Sequence, residues 1–290
     1  MTSDRWITLG IRPFIVLATV MATMDIKPAV TQTTVISDSE GEPSLLIETA
    51  VEASESTTHQ TTFYLRVGAS LDLSSATRFG DRNCLSTSPA ALYGCGTGGD
   101  GIARGTRGDF GMADGVEFGL GYVATPGLRL ETSIAYRPRY SFEGTANFLQ
   151  TDALQSVSAD LRSASGTVAA YLNLTSYGPL RVFAGTGAGL HYVDISEYHM
   201  TFPRTQTIVP DGHRVDFTVM LAAGVAASIS DGITLDLAWR YVNWGIVETG
   251  RATGQVIWKD GSREPLDLDL AETWAMHRGQ GLGVSLRYGF

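Results

Sequence analysis

Ser285 and His277 come nearer than any other pair in this chain to a nucleophile and its base. A serine hydroxyl attacks acyl bonds when a histidine takes its proton and an acid orients that histidine, provided all three converge. These two residues stand about one strand length apart on one segment, so the sequence predicts no triad and no enzyme. The remaining histidines are His59, His191, His199 and His213. His191 and His199 lack ligand spacing on a regular strand, so each is expected to be a lone lumen or rim residue. Asp267 and Asp269, in Leu266-Asp-Leu-Asp-Leu270, offer oxygen to a hard cation, but a solvated loop explains them as well. Gly119-Leu-Gly121 and Gly185-Thr-Gly-Ala-Gly189 are not dinucleotide loops: no GxGxxG follows the first, and neither opens a helix. No metal or cofactor is expected. Cys84 and Cys95, an even pair flanked by Ser, Pro and Gly, read as a local disulfide formed in an oxidising compartment. On the chain-entropy model such a crosslink stabilises by roughly 3 kcal/mol.

The other chemistry-bearing residues are ionic, and they alternate with apolar ones. From Phe63 onward the chain shows eight period-2 segments. Phe63, Leu65, Val67 and Leu71 oppose Arg66 and Asp72. Val116, Phe118, Leu120 and Tyr122 oppose Glu117, Gly119 and Gly121. Leu128, Leu130 and Ile134 oppose Arg129, Glu131 and Arg137. Leu161–Leu174 is a fourth segment of ambiguous phase. Segments from Arg181, from Val215 and from Ile233 follow, and Gly281–Phe290 ends the chain. Large apolar residues share one face, and glycine sits with Arg, Asp and Glu on the other. A lipocalin-type barrel would put its charges in water, where repeated glycine only weakens a strand. In a narrow interior, glycine makes room for long ionic side chains. The expected lumen charge network is therefore Arg66, Glu117, Arg129, Glu131, Arg137, Arg181, Asp216, Asp236, Arg240 and Arg287, with Asp72 and Arg139 in the same phase. Both signs are present, so the interior can neutralise itself by pairing.

Connections between these segments alternate short and long. Thr125-Pro-Gly127, Tyr177-Gly-Pro179 and Ser230-Asp-Gly232 are tight turns, whereas stretches near 73–115, 143–160, 197–212 and 247–275 are long. The expectation is an all-β, eight-stranded antiparallel up-and-down transmembrane barrel, with short periplasmic turns, long extracellular loops and both termini periplasmic. Tyr64, Tyr122, Tyr136, Tyr140, Tyr192, Trp239, Tyr241, Trp244 and Tyr288 are candidates for interfacial aromatic girdles.

Ahead of the barrel, Arg5 and Arg12 precede the apolar Phe14–Met24 run, which is too short to span a bilayer. Residues 1–29 read as an export signal cleaved near Ala22 or Ala29. Residues 30–61 read as a flexible acidic tail, because Asp38, Glu40, Glu42, Glu48, Glu52 and Glu55 occur there among many Ser and Thr. The barrel proper is expected over 62–290. A net charge of −9 argues against nucleic-acid binding.

With these pieces in order, the chain resembles the small outer-membrane β-barrel proteins of the opacity-protein and porin-like surface-antigen family of Gram-negative bacteria. The resemblance covers about Phe63 to Phe290. It rests on Phe118-Gly-Leu-Gly-Tyr122, Leu128-Arg-Leu-Glu131, Phe183-Ala-Gly-Thr-Gly-Ala-Gly-Leu190, Leu235-Asp-Leu-Ala-Trp-Arg-Tyr241 and the terminal Leu286-Arg-Tyr-Gly-Phe290. The ending also resembles the aromatic closing strand that the barrel-assembly machinery recognises, which implies that role for Leu286, Tyr288 and Phe290. The resemblance implies an outer-membrane location, with lipid, lipopolysaccharide and the assembly machinery as partners. The implied function is structural: a surface-exposed barrel with a filled lumen and display loops. A narrow channel for small solutes and an adhesin acting through its loops are the alternatives. The acidic tail and the large first loop with its cysteines depart from the shortest family members.

Overall fold

The computed structural model describes residues 63–148 and 155–290. The expected export signal and acidic tail lie outside the described residues. Eight long strands form a closed ring: β1 (Phe63–Ser74), β4 (Met112–Thr125), β5 (Leu128–Ala146), β6 (Gln155–Tyr177), β7 (Leu180–Thr201), β9 (Gly212–Ser230), β10 (Ile233–Glu248) and β13 (Thr273–Gly289). Each pairs antiparallel with the next, and β1 closes on β13 from Tyr64↔Gly289 to Ser74↔Gly279. Closure leaves the ring no free edge. Three tight turns and the outer ends of β1 and β13 mark one end of the cylinder, here the turn end. Gly178 and Gly232 supply the positive φ that the second and third turns need.

The strands are longer than the alternation predicted. A tilted strand crosses a bilayer in about 9–11 residues, yet β6 runs for 23 residues and β7 for 22. Much of what was expected as long loop is strand instead. The reason is a reversal of polarity. Toward the turn end, Phe118, Ile134, Val168, Leu172, Phe217 and Leu221 are exposed on the outer surface. Toward the loop end of the same strands, Phe142, Val157, Leu161, Val193, Ile195 and Val247 are buried inside. There the outer surface carries Arg139, Glu143, Ser156, Ser158 and Arg162, all exposed. A pattern that inverts midway hides a continuous strand from any single-phase reading, which explains the ambiguity of Leu161–Leu174.

Five short strands elaborate the loop end: β2 (Thr77–Asp81), β3 (Thr106–Asp109), β8 (Thr205–Val209), β11 (Ala252–Trp258) and β12 (Leu266–Leu270). β2 and β3 insert between β13 and β5, while β8, β11 and β12 extend from β7. The first loop is stitched to β12 through Ala90, which donates to Asp269 O (2.8 Å) and accepts from Ala271 N (2.9 Å). The Cys84–Cys95 disulfide ties off that loop. Asp81 holds the loop too, accepting from Leu92 N (2.9 Å), Tyr93 N (3.0 Å) and Gly94 N (2.8 Å). Burial pushes the Asp81 carboxyl above its ordinary range, against the pull of those three donors.

Three of the girdle candidates are corrected by their phase. Tyr64, Tyr140 and Trp244 point inward and are buried. Tyr64 alternates with outward Phe63 and Leu65, Trp244 continues the inward alternation of Asp236, Arg240 and Val242, and the register shift at Arg137/Tyr140 turns Tyr140 inward. Tyr122, Tyr136, Tyr192, Trp239, Tyr241 and Tyr288 do lie on the outer surface, joined by Tyr177 and Phe290.

Candidate functional site

Inside the turn-end half, the alternation of β1, β4, β5, β10 and β13 aims ionic side chains at one axis. Arg66 reaches Glu117 and Glu131, both at 2.9 Å. Glu131 also accepts from the Tyr64 hydroxyl at 3.0 Å. Arg240 joins Glu117 to Asp72, pairing with the first and lying 3.3 Å from the second. Arg137 grips Asp72 at 2.7 Å. Arg287 holds Asp236 at 2.6 Å, and Arg129 meets the same carboxylate at 3.7 Å. Arg129 instead lies over two rings, 4.6 Å from the centroid of Tyr171 and 4.4 Å from that of Phe183. Desolvated charges require such pairing, since an unpaired one costs several kcal/mol.

Glycine makes the network possible. A methyl group at Gly121 would overlap the Tyr64 ring, and one at Gly281 would overlap the Asp72 carboxylate. What remains open between the pairs is a cavity of about 60 Å³, room for a few waters.

Two members of the expected network sit at its margins. Arg181 is only half-buried and donates to Ser228 Oγ at 2.9 Å, because it lies one residue from the turn-end mouth. Asp216 is half-buried beside Arg214 (3.6 Å) and accepts from Ile246 N (2.9 Å), where the β10 bulge brings backbone close. Arg139 departs from the lumen phase altogether. The register shift at Pro138 turns it outward, where it pairs with Asp160 at 3.1 Å.

Above the ionic half, an aromatic layer closes the lumen. Phe79, Phe110, Phe142 and Tyr198 pack edge-on or tilted, and the Tyr93 hydroxyl lies 2.6 Å from that of Tyr198. His191 and His277 occupy the boundary between the layers, with ring centroids 6.0 Å apart, and His277 stacks on Trp244 at 4.5 Å. The two histidines come from β7 and β13, which are not ring neighbours, so they meet across the lumen. Sequence spacing carries no trace of that meeting; only their shared inward phase was available. Ser285 lines the ionic cavity, with Gly279, Gly281 and Gly283 between it and His277 on the same strand face. Asp267 is exposed and accepts from Gln255, and among the described residues no group of His, Cys, Asp and Glu could hold a metal ion. Leu286, Tyr288 and Phe290 are exposed on the outer face, and Phe290 N donates to Phe63 O at the barrel seam.

An ionic interior inside an apolar, ring-closed wall is the arrangement of an outer-membrane β-barrel. No family model and no curated protein matches the chain. Solved structures with a similar fold include Neisserial surface protein A (13% identity, 79% of this chain and 97% of that one, TM-score 0.38). Others are OprG from Pseudomonas aeruginosa (10%, 79% and 96%, TM-score 0.45) and the outer membrane protease OmpT from Escherichia coli (7%, 80% and 100%, TM-score 0.40).

Proposed function

We propose that this protein is a structural, surface-displaying outer-membrane barrel without catalytic activity and without a conducting pore. The observation that carries this reading is the double closure of the lumen. Ion pairs among Arg66, Glu117, Asp72, Arg137 and Arg240 fill the turn-end half, and the aromatic layer around Phe79 and Phe142 fills the loop-end half. Eight strands enclose an interior just wide enough for side chains, so little space is left for a permeating solute. The strands that continue past the apolar belt, with the disulfide-tied first loop, raise a folded platform suited to display. Both strand termini then face the periplasm, and the outward Leu286, Tyr288 and Phe290 offer the assembly machinery its aromatic strand. His277 is buried against Trp244 and Phe110 and is poorly placed to serve as a base for an external substrate.

Planar-bilayer recording of purified protein tests the reading. The expected result is no stable unitary conductance. Large, reproducible openings would favour the narrow-channel alternative.

A further inference from the structure

The lumen charges do not cancel. In the turn-end half, five guanidinium groups (Arg66, Arg129, Arg137, Arg240 and Arg287) meet four carboxylates (Asp72, Glu117, Glu131 and Asp236). Further toward the loop end, Arg214 lies between Asp216 (3.6 Å) and its closer partner Glu248, which also pairs with Arg82, so two cations there meet two carboxylates. The surplus cation can be identified. Arg66, Arg137, Arg240 and Arg287 each have a carboxylate in close contact, whereas Arg129 only shares Asp236 at 3.7 Å, with Arg287 already on that carboxylate at 2.6 Å. Arg129 is 6% exposed, and its Nε has no hydrogen-bond partner. It borders the 60 Å³ lumen cavity, as does Thr218, whose buried hydroxyl is also without a partner. Arg181 adds another positive group at the mouth of the same end. The aromatic faces of Tyr171 and Phe183 favour the cation but accept no N–H bond in the guanidinium plane.

We infer that the lumen binds a small monovalent anion of the halide class at Arg129, entering from the turn end. Such an ion would lie in the cavity beside the Arg129 guanidinium and balance the fifth positive charge. The cavity excludes bulky anions by size, and neighbouring Glu131 and Asp236 disfavour multivalent ones by repulsion.

The test is thermal unfolding of the full-length folded barrel in detergent, in sodium chloride or bromide against sodium gluconate at equal ionic strength. The expected result is a saturable rise in Tm of several degrees with halide, absent in Arg129→Gln and retained in Arg139→Gln on the outer surface. Equal Tm values in halide and gluconate for the unsubstituted protein, or a halide effect that survives Arg129→Gln, would overturn the inference. If Arg129→Gln does not fold, anomalous scattering from bromide-soaked crystals decides. A peak in the cavity beside the Arg129 guanidinium supports the site, and no peak in the lumen refutes it. Neither readout depends on conductance, so this inference and the proposed closed lumen can fail separately.

Discussion

β6 carries Leu172 and Leu174 on its outer surface and Val157 and Leu161 on its inner one, without changing the phase of its side chains. What changes is the solvent each half meets. In the turn-end half the outer surface is apolar and the interior ionic. In the loop-end half the outer surface is ionic and the interior apolar, as in a soluble protein. One set of strands thus satisfies lipid along part of its length and water along the rest. The two halves also differ in how their cores hold. Ion pairs in the first are directional, and removing one partner of a close pair strands a buried charge; ring packing in the second is non-directional and loses stability in proportion to the volume removed.

The sharpest way to break this comparison is Asp72→Leu. It leaves Arg137 and Arg240 without their shared carboxylate in a buried site and should lower unfolding stability by about 5 kcal/mol, read as a large fall in the denaturant midpoint. An unchanged midpoint would mean that water already reaches these groups. Phe142→Ala should cost somewhat less, about 3–4 kcal/mol, because the aromatic layer can partly collapse into the space. Hydrogen exchange should then rise in the loop-end segments while the turn-end strands keep their protection. A smaller, more diagnostic contrast comes from placing arginine on the outside. Ile134→Arg should destabilise by about 2–3 kcal/mol in a bilayer, whereas Ser158→Arg should leave stability unchanged. Equal effects would erase the boundary between the halves.

The turn-end half was legible in the sequence because large apolar residues and glycine-plus-charge sets alternate there without interruption. That phase puts Arg66, Glu117 and Glu131 in the lumen, and the strand register then decides that they pair. The loop-end half was not legible, because its polarity runs opposite on the same strands. Glu143–Asp160 reads as loop when outward apolar residues are the criterion, although most of its described residues belong to β5 and β6. Backbone irregularities defeat counting as well: the register shift at Pro138 sends Arg139 outward and Tyr140 inward. Tyr64 is a different case, since its opposition to Phe63 and Leu65 already placed it in the lumen. The contact of His191 with His277 depends on ring closure and has no local signature.

The central claim is that lipid covers the outer surface only beside the ionic lumen. Nitroxide labels placed singly at Phe118, Ile134 and Phe217, and at Glu143, Ser158 and Arg162, measure this directly in reconstituted bilayers. Collision with oxygen should dominate at the first three positions and collision with a water-soluble nickel chelate at the second three. Nickel access at Phe118 and Ile134 equal to that at Ser158 would contradict the account.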